Sequence, residues 1–199
     1  TCYDLMWNGT LFLAVGTGST YSITYSYDGI NWMGVINSYS LIPTVYGVGW
    51  NGTMWVAVGA SSTIIYSYDG INWISITSSL FTTGYGVTWN GTVWVIVGSG
   101  TNTIVYSING LNWVGAGATI FTTSGKGVAW NGTMFVAVGS GTNTLAYSYD
   151  GINWVGNGTT SFSTIGNRVA WCGDKWVAVG SGSSSISYSN NGIAWTNSS

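Results

Sequence analysis

The chain has 199 residues, of which 46% are hydrophobic, 16% aromatic and only 4% charged, with 3 Lys+Arg, 5 Asp+Glu and no His. An ordinary soluble protein carries roughly a quarter charged residues, so Ser, Thr and Asn must wet this surface. The three bases, Lys126, Arg168 and Lys175, cannot supply a nucleic-acid footprint, and five dispersed aspartates without His or Glu exclude ordinary acid–base and metal-ligand clusters.

The chain opens Thr1-Cys2-Tyr3-Asp4, with neither the basic head nor the apolar stretch of a signal peptide, and a start without Met is expected of a processed or trimmed chain. No apolar run reaches the ~18–20 residues that span a bilayer as a helix. Val93-Trp94-Val95-Ile96-Val97, among the longest, stops at Gly98 as a buried strand would. Repetition then dominates. Trp-Asn-Gly-Thr stands at Trp7, Trp50, Trp89 and Trp130, and Trp171-Cys172-Gly173-Asp174 takes the fifth place. A second marker, Gly-x-x-Trp, ends at Trp32, Trp73, Trp113, Trp154 and Trp195, with spacings of 41, 40, 41 and 41 by subtraction. Five repeats of about 40 residues, each with several short strands, predict an all-β five-bladed β-propeller with four antiparallel strands per blade. The blades are expected over about 1–40, 41–81, 82–121, 122–162 and 163–199 of one domain. A single blade cannot bury its own faces, so the repeats must stack about an axis.

The second repeat shows the predicted elements in order. Tyr46–Trp50 is a first strand, and Asn51-Gly52 a two-residue type I′ turn in which both residues take positive φ. Met54–Val58 is a second strand, apolar on both faces because each is covered. Ala60-Ser61-Ser62 is a loop, Thr63–Ser67 a third strand, Asp69-Gly70 a turn, and a fourth strand begins at Trp73. The tryptophans recur at fixed places in this scheme and are expected to pack between blades.

The segment Ser67-Tyr68-Asp69-Gly70-Ile71-Asn72-Trp73 resembles the Asp-box of sialidase-like propellers, in which Ser-x-Asp-x-Gly-x-Thr-Trp closes the turn between third and fourth strands. The likeness covers all five repeats, starting at Ser26, Ser67, Ser107, Ser148 and Ser189. The turn here is one residue shorter, and Asp gives way to Asn109 and Asn191. Asp28, Asp69, Asn109, Asp150 and Asn191 are therefore expected to hold turns, since either side chain accepts amide hydrogen bonds. The resemblance implies a fold and not an activity. Sialidases use an arginine cluster, a Tyr–Glu pair and an Asp, whereas this chain has one arginine, Arg168, and no glutamate. No enzymatic role, metal or cofactor is expected.

Sugars are recognised by flat aromatic faces with neutral amides and hydroxyls, and the chain is rich in all three. In repeat number and composition it is similar to the five-bladed lectins of the tachylectin type, a likeness that implies glycan sites between blades. The loops joining second to third strands supply the candidate binding residues, Thr101, Asn102, Thr103, Thr142, Asn143 and Thr144, with avidity as the gain from repetition. The alternative is a structural subunit of a filament, cell surface or virion surface, self-associating by head-to-tail stacking of discs because a net charge of −2 opposes contact weakly. Asn8, Asn51, Asn90, Asn131, Asn157 and Asn197 begin N-glycosylation sequons, four of them on the same turn of successive blades. Both readings place the protein in an extracellular, cell-surface or virion-surface setting.

Cys172 occupies the turn-asparagine position, which a type I′ turn would hold at positive φ, so its presence suggests a role beyond packing. Cys2 starts a first strand and Cys172 follows one. A five-residue strand spans roughly 16 Å, against about 5.5 Å between the Cα atoms of a disulfide. Any bond between them is therefore expected to link stacked molecules. Whole blades without an exchanged strand would leave ring closure to side-chain packing of the first blade on the fifth.

Overall fold

The computed structural model describes residues 1–198, and within them the polypeptide forms twenty strands in five antiparallel sheets, each with its four strands in chain order. Blade 1 comprises β1 (Cys2–Trp7), β2 (Phe12–Gly16), β3 (Ile23–Ser26) and β4 (Met33–Gly34), and a short helix α1 (Ser38–Leu41) leads out of it. Blade 2 is β5 (Val45–Trp50), β6 (Trp55–Gly59), β7 (Thr63–Ser67) and β8 (Ile74–Thr77); blade 3 is β9 (Thr83–Trp89), β10 (Trp94–Ser99), β11 (Ile104–Ser107) and β12 (Val114–Gly115). Blade 4 is β13 (Ser124–Trp130), β14 (Phe135–Ser140), β15 (Leu145–Ser148) and β16 (Val155–Gly156). Blade 5 is β17 (Ile165–Trp171), β18 (Trp176–Ser181), β19 (Ile186–Ser189) and β20 (Thr196–Asn197). Among the described residues no strand is exchanged between blades, and α1 is the one element the repeat pattern gives no sign of.

The core lies between blades. Leu13, Val15 and Ile23 of blade 1 pack on Val48, Trp55 and Ala57 of blade 2, with Ile42 of the connection wedged in. The same positions recur as Val56, Val58 and Ile64 against Val87, Trp94 and Ile96, with Phe81 as the wedge. Two further layers follow the pattern, wedged by Phe121 and Phe162. The second strands of blades 2, 3 and 4 therefore send alternate side chains into two different interfaces, which is why β6 is buried on both faces.

Every first strand carries a register shift at the same place, after Cys2, Val45, Gly84, Gly125 and Gly166. A bulge leaves one residue unpaired and re-aims its side chain. The residues so released are Tyr3, Tyr46, Tyr85, Lys126 and Asn167. Tyr3 and Tyr46 lie 5.1 Å apart between ring centroids and Tyr46 and Tyr85 5.3 Å, and Lys126 Nζ sits 3.5 Å over the Tyr85 ring. The next residue in each strand is Asp4, Gly47, Gly86, Gly127 or Arg168, and glycine there lets neighbouring first strands approach closely. Asp4 and Arg168, at the two ends of the series, line one small cavity with Gly86 and Gly127.

The first turn differs from the sequence expectation. Trp7 pairs with Phe12 and Trp50 with Trp55, so the loop holds four residues, not two. Only the glycine has positive φ (Gly9 +100°, Gly52 +98°); the asparagine does not. Asn51 instead caps the loop, its Oδ1 accepting from Thr53 N at 2.9 Å and Met54 N at 2.7 Å, and Asn8, Asn90 and Asn131 do the same. The reading of Cys172 as a strained residue is corrected with it: its backbone needs no positive φ, and its N–H still donates to Lys175 O at 2.8 Å. Both thiols are free and exposed.

Candidate functional site

The second turn of each blade is built on one side chain. In blade 2, Asp69 Oδ1 accepts from Ser67 Oγ at 2.9 Å, Ile71 N at 2.8 Å and Asn72 N at 2.7 Å, and Oδ2 accepts from Asn72 Nδ2 at 2.7 Å. Ser67 Oγ in turn accepts from Gly70 N at 2.9 Å, and Trp73 Nε1 donates to Gly70 O at 3.0 Å. Asp28 and Asp150 repeat this arrangement, while Asn109 and Asn191 keep the Oδ1 bonds and lose the second oxygen. Partial burial raises the Asp69 and Asp150 carboxyls, but these hydrogen bonds outweigh it and hold both at about 2. The Asn31 amide and its companions push Asp28 lower still. All five expected turn residues thus sit in turns.

Against the turns of blades 2 and 3 lies the exit of the preceding blade, and grooves form between the two. One, of about 370 Å³, is bounded by Ile36 and Asn37 after blade 1 and by Tyr68, Ile71, Asn72 and Trp73 of blade 2. An adjoining hollow of about 310 Å³ adds Tyr25 and Gly34. A counterpart of about 270 Å³ lies between Ile76–Leu80 of blade 2 and Leu111, Asn112 and Trp113 of blade 3. Among the described residues the only charge on these walls is Asp69, whose oxygens are already engaged. What remains for a ligand is the exposed Tyr68 ring, aliphatic faces and neutral amides. Asn37 holds a left-handed backbone (φ 65°) and its side chain makes no capping bond to the helix that follows. Asn72 Oδ1 has no donor among the described residues.

The loops expected to bind ligand are placed elsewhere and are largely internal. Asn102 Nδ2 donates to Leu80 O at 2.8 Å while its Oδ1 accepts from Gly117 N at 2.8 Å, and Asn143 bridges Ile120 O and Gly158 N in the same way. Thr103 and Thr144 are buried, the latter donating to Phe162 O at 2.8 Å. Thr101 and Thr142 stay exposed, Thr142 bonding Thr122. The groove residues were missed because Asn72 and Trp73 read as turn and packing residues, and the connection bearing Ile36 and Asn37 carries no motif. Of the sequon asparagines, Asn8, Asn51, Asn90 and Asn131 use only Oδ1 in their loops, whereas Asn157 Nδ2 donates to Ile193 O at 2.7 Å. Asn197 accepts from Ser187 Oγ, and the last residue of its sequon, Ser199, lies outside the described residues.

No protein-family model matches the chain, and no curated protein does. Solved structures do. One from a nidogen/laminin complex superposes with a TM-score of 0.68 at 12% identity, over 90% of this chain and 73% of that one. The GH74 enzyme of Niastella koreensis gives 0.73 at 13% identity over 98% of this chain, but only 36% of its own length. A computationally designed protein, Ika8, gives 0.65 at 10% identity over 96% and 58%. At such identities the likeness establishes fold alone, and it supports a propeller of stacked four-stranded blades.

Proposed function

We propose that this five-bladed Asp-box-like propeller is a non-catalytic extracellular or surface module that binds neutral glycans in the grooves between blades. The observation that carries this reading is the recurrence of the groove. The same structural positions, Ile71-Asn72-Trp73 and Leu111-Asn112-Trp113, face the exit of the preceding blade in both. Their walls combine aromatic and aliphatic surface with neutral amides, a lining suited to the C–H faces and hydroxyls of a sugar ring. Weak sites on one rigid scaffold gain by avidity, so binding on a glycan array should depend steeply on ligand density. Tyr68→Ala with Asn72→Ala should abolish most binding to the best array ligand in calorimetry while leaving the fold intact. An array without signal, or a signal this double variant leaves unchanged, overturns the reading.

A second reading has its own support: a structural subunit N-glycosylated on the first turns. The amide nitrogens of Asn8, Asn51, Asn90 and Asn131 have no hydrogen-bond partner among the described residues, so a sugar at Nδ2 would leave the Oδ1 caps intact. Intact-mass measurement before and after enzymatic deglycosylation of protein from its natural source tests it. Sugar masses on those four sites and none on Asn157 are expected; a mass that deglycosylation leaves unchanged overturns it.

A further inference from the structure

Seven asparagines in the chain precede a glycine: Asn8, Asn51, Asn90, Asn109, Asn131, Asn157 and Asn191. In such a pair the glycine nitrogen can close on the asparagine Cγ, because no Cβ stands in its way. The fold divides the seven by what it does with that N–H. Gly110 N donates to Ser107 Oγ at 2.8 Å, Gly192 N to Ser189 Oγ at 2.9 Å, and Gly158 N to Asn143 Oδ1 at 2.8 Å. Gly110 and Gly192 are also buried, and Asn157 holds its own amide against Ile193 O at 2.7 Å. The N–H groups of Gly9, Gly52, Gly91 and Gly132 have no partner among the described residues, and these four glycines are exposed. A Cβ on any of them would meet nothing within 4 Å, so solvent reaches the loop freely.

The electrophile is held alike in the first loops and in the Asp-box-like turns. Asn51 Oδ1 accepts from Thr53 N at 2.9 Å and Met54 N at 2.7 Å, and Asn90 Oδ1 from Thr92 N at 2.8 Å and Val93 N at 2.6 Å. Asn109 Oδ1 likewise accepts from Leu111 N at 2.9 Å and Asn112 N at 2.8 Å. Donors on that oxygen stand where negative charge gathers as Cγ becomes tetrahedral. The carbonyl is therefore polarised in both settings, and the nucleophile is what separates them. One chain carries its own control.

We propose that Asn8, Asn51, Asn90 and Asn131 are self-modification sites that deamidate in the folded protein, while Asn109, Asn157 and Asn191 are protected. At Asn51, the Gly52 nitrogen gives its proton to solvent base and bonds to Cγ. The Cγ–Nδ2 bond then breaks, and ammonia leaves with a proton taken from solvent. One water opens the cyclic imide so formed. Opening at Cγ leaves an aspartate that can keep the Oδ1 cap, whereas opening at the main-chain carbonyl leaves isoaspartate, with an extra methylene in the backbone. Each site consumes one water, releases one ammonia and gains one negative charge, so four conversions take the net charge from −2 to −6. In a chain with 4% charged residues, like charges at one position of four successive blades oppose self-association. Conversion and N-glycosylation use the same Nδ2, so each excludes the other at a given loop. In the fifth repeat Cys172 takes the place of the asparagine, and the series ends at four.

Peptide mapping by mass spectrometry tests this on the full chain made in a host that adds no N-glycans. Native and denatured samples are held at mildly alkaline pH in heavy-oxygen water until the denatured chain is labelled. In the native sample label should accumulate at Asn8, Asn51, Asn90 and Asn131 several-fold faster than at Asn109, Asn157 and Asn191. In denaturant, where no N–H is held, the seven sites should converge. Gly52→Ala, which crowds the attacking nitrogen, should slow labelling at Asn51 and leave Asn8, Asn90 and Asn131 unchanged. First loops that stay unlabelled in the native protein overturn the proposal, and so does equal labelling of all seven sites. A preference that persists in denaturant overturns it as well, because it would belong to local sequence and not to the fold.

Discussion

At the residue scale the protein is held by small polar devices repeated five times. One oxygen of Asp69 organises three donors, so Asp69→Ala should cost about 1–2 kcal/mol, the range of other side-chain caps on backbone amides. Asp69→Asn should cost less, because Asn109 holds the same turn with Oδ1 alone. The acid limb follows from the depressed carboxyls. A group bound at about 2 when folded and near 3.8 when unfolded contributes its stability fully above the unfolded value, and that contribution drains away as pH falls from about 4 to 2. Thermal melts of the Asp69→Asn, Asp150→Asn double variant should therefore fall less steeply across that window than those of the wild type. Asp4 acts with the opposite sign: burial raises its carboxyl, against the Val48 and Leu5 amides it accepts from, so acidification relieves a cost there. The buried tryptophans carry a different tension. Trp55, Trp94 and Trp176 each bury an Nε1–H with no partner among the described residues, while Phe12 and Phe135 fill the same position without a donor. An orphaned donor costs about 1–3 kcal/mol, which offsets much of the extra ring area. Trp94→Phe should accordingly shift stability by less than about 1 kcal/mol in chemical denaturation.

At the scale of the element, the two turns use glycine for different reasons, and substitution separates them. Gly52 has a φ of +98°, and a Cβ there meets nothing within 4 Å, so Gly52→Ala should cost only backbone strain of about 1–2 kcal/mol. Gly70 has a φ of +78°, and a Cβ would stand 2.5 Å from Leu11 Cδ2 of the preceding blade and 3.2 Å from Trp55 Nε1. Gly70→Ala should thus show the larger fall in denaturation midpoint, because the buried Leu11 side chain and the Trp55 ring must shift to admit it. This difference also marks what was legible in the sequence. The five-fold repeat and strands such as β7 (Thr63–Ser67) follow from period and turn chemistry, which are local. The four-residue first loop was not legible, since Asn-Gly serves either a two-residue turn or an asparagine-capped loop, and pairing of Trp50 with Trp55 decides between them. The bulges that aim Tyr3, Tyr46 and Tyr85 at one another leave no local signature. Nor do the grooves, which join residues from neighbouring repeats: Asn37 and Asn72 meet only because blades 1 and 2 pack.

At the scale of the whole molecule, repetition makes position within the array a variable that can be tested with the chemistry held constant. Val97 and Val179 are the same residue at the same place in blades 3 and 5, one fully buried and the other 39% exposed. In a repeat protein stability is a sum of unit terms and nearest-neighbour interface terms. Val97→Ala removes methyl groups from a closed interface and should cost about 2 kcal/mol by lost burial and the cavity left behind. Val179→Ala touches a partly exposed side chain and should cost less than about 0.5 kcal/mol, as surface substitutions do, when both variants are compared by chemical denaturation. The same substitution at the same place in two repeats thus separates the interface contribution from the intrinsic contribution of the residue.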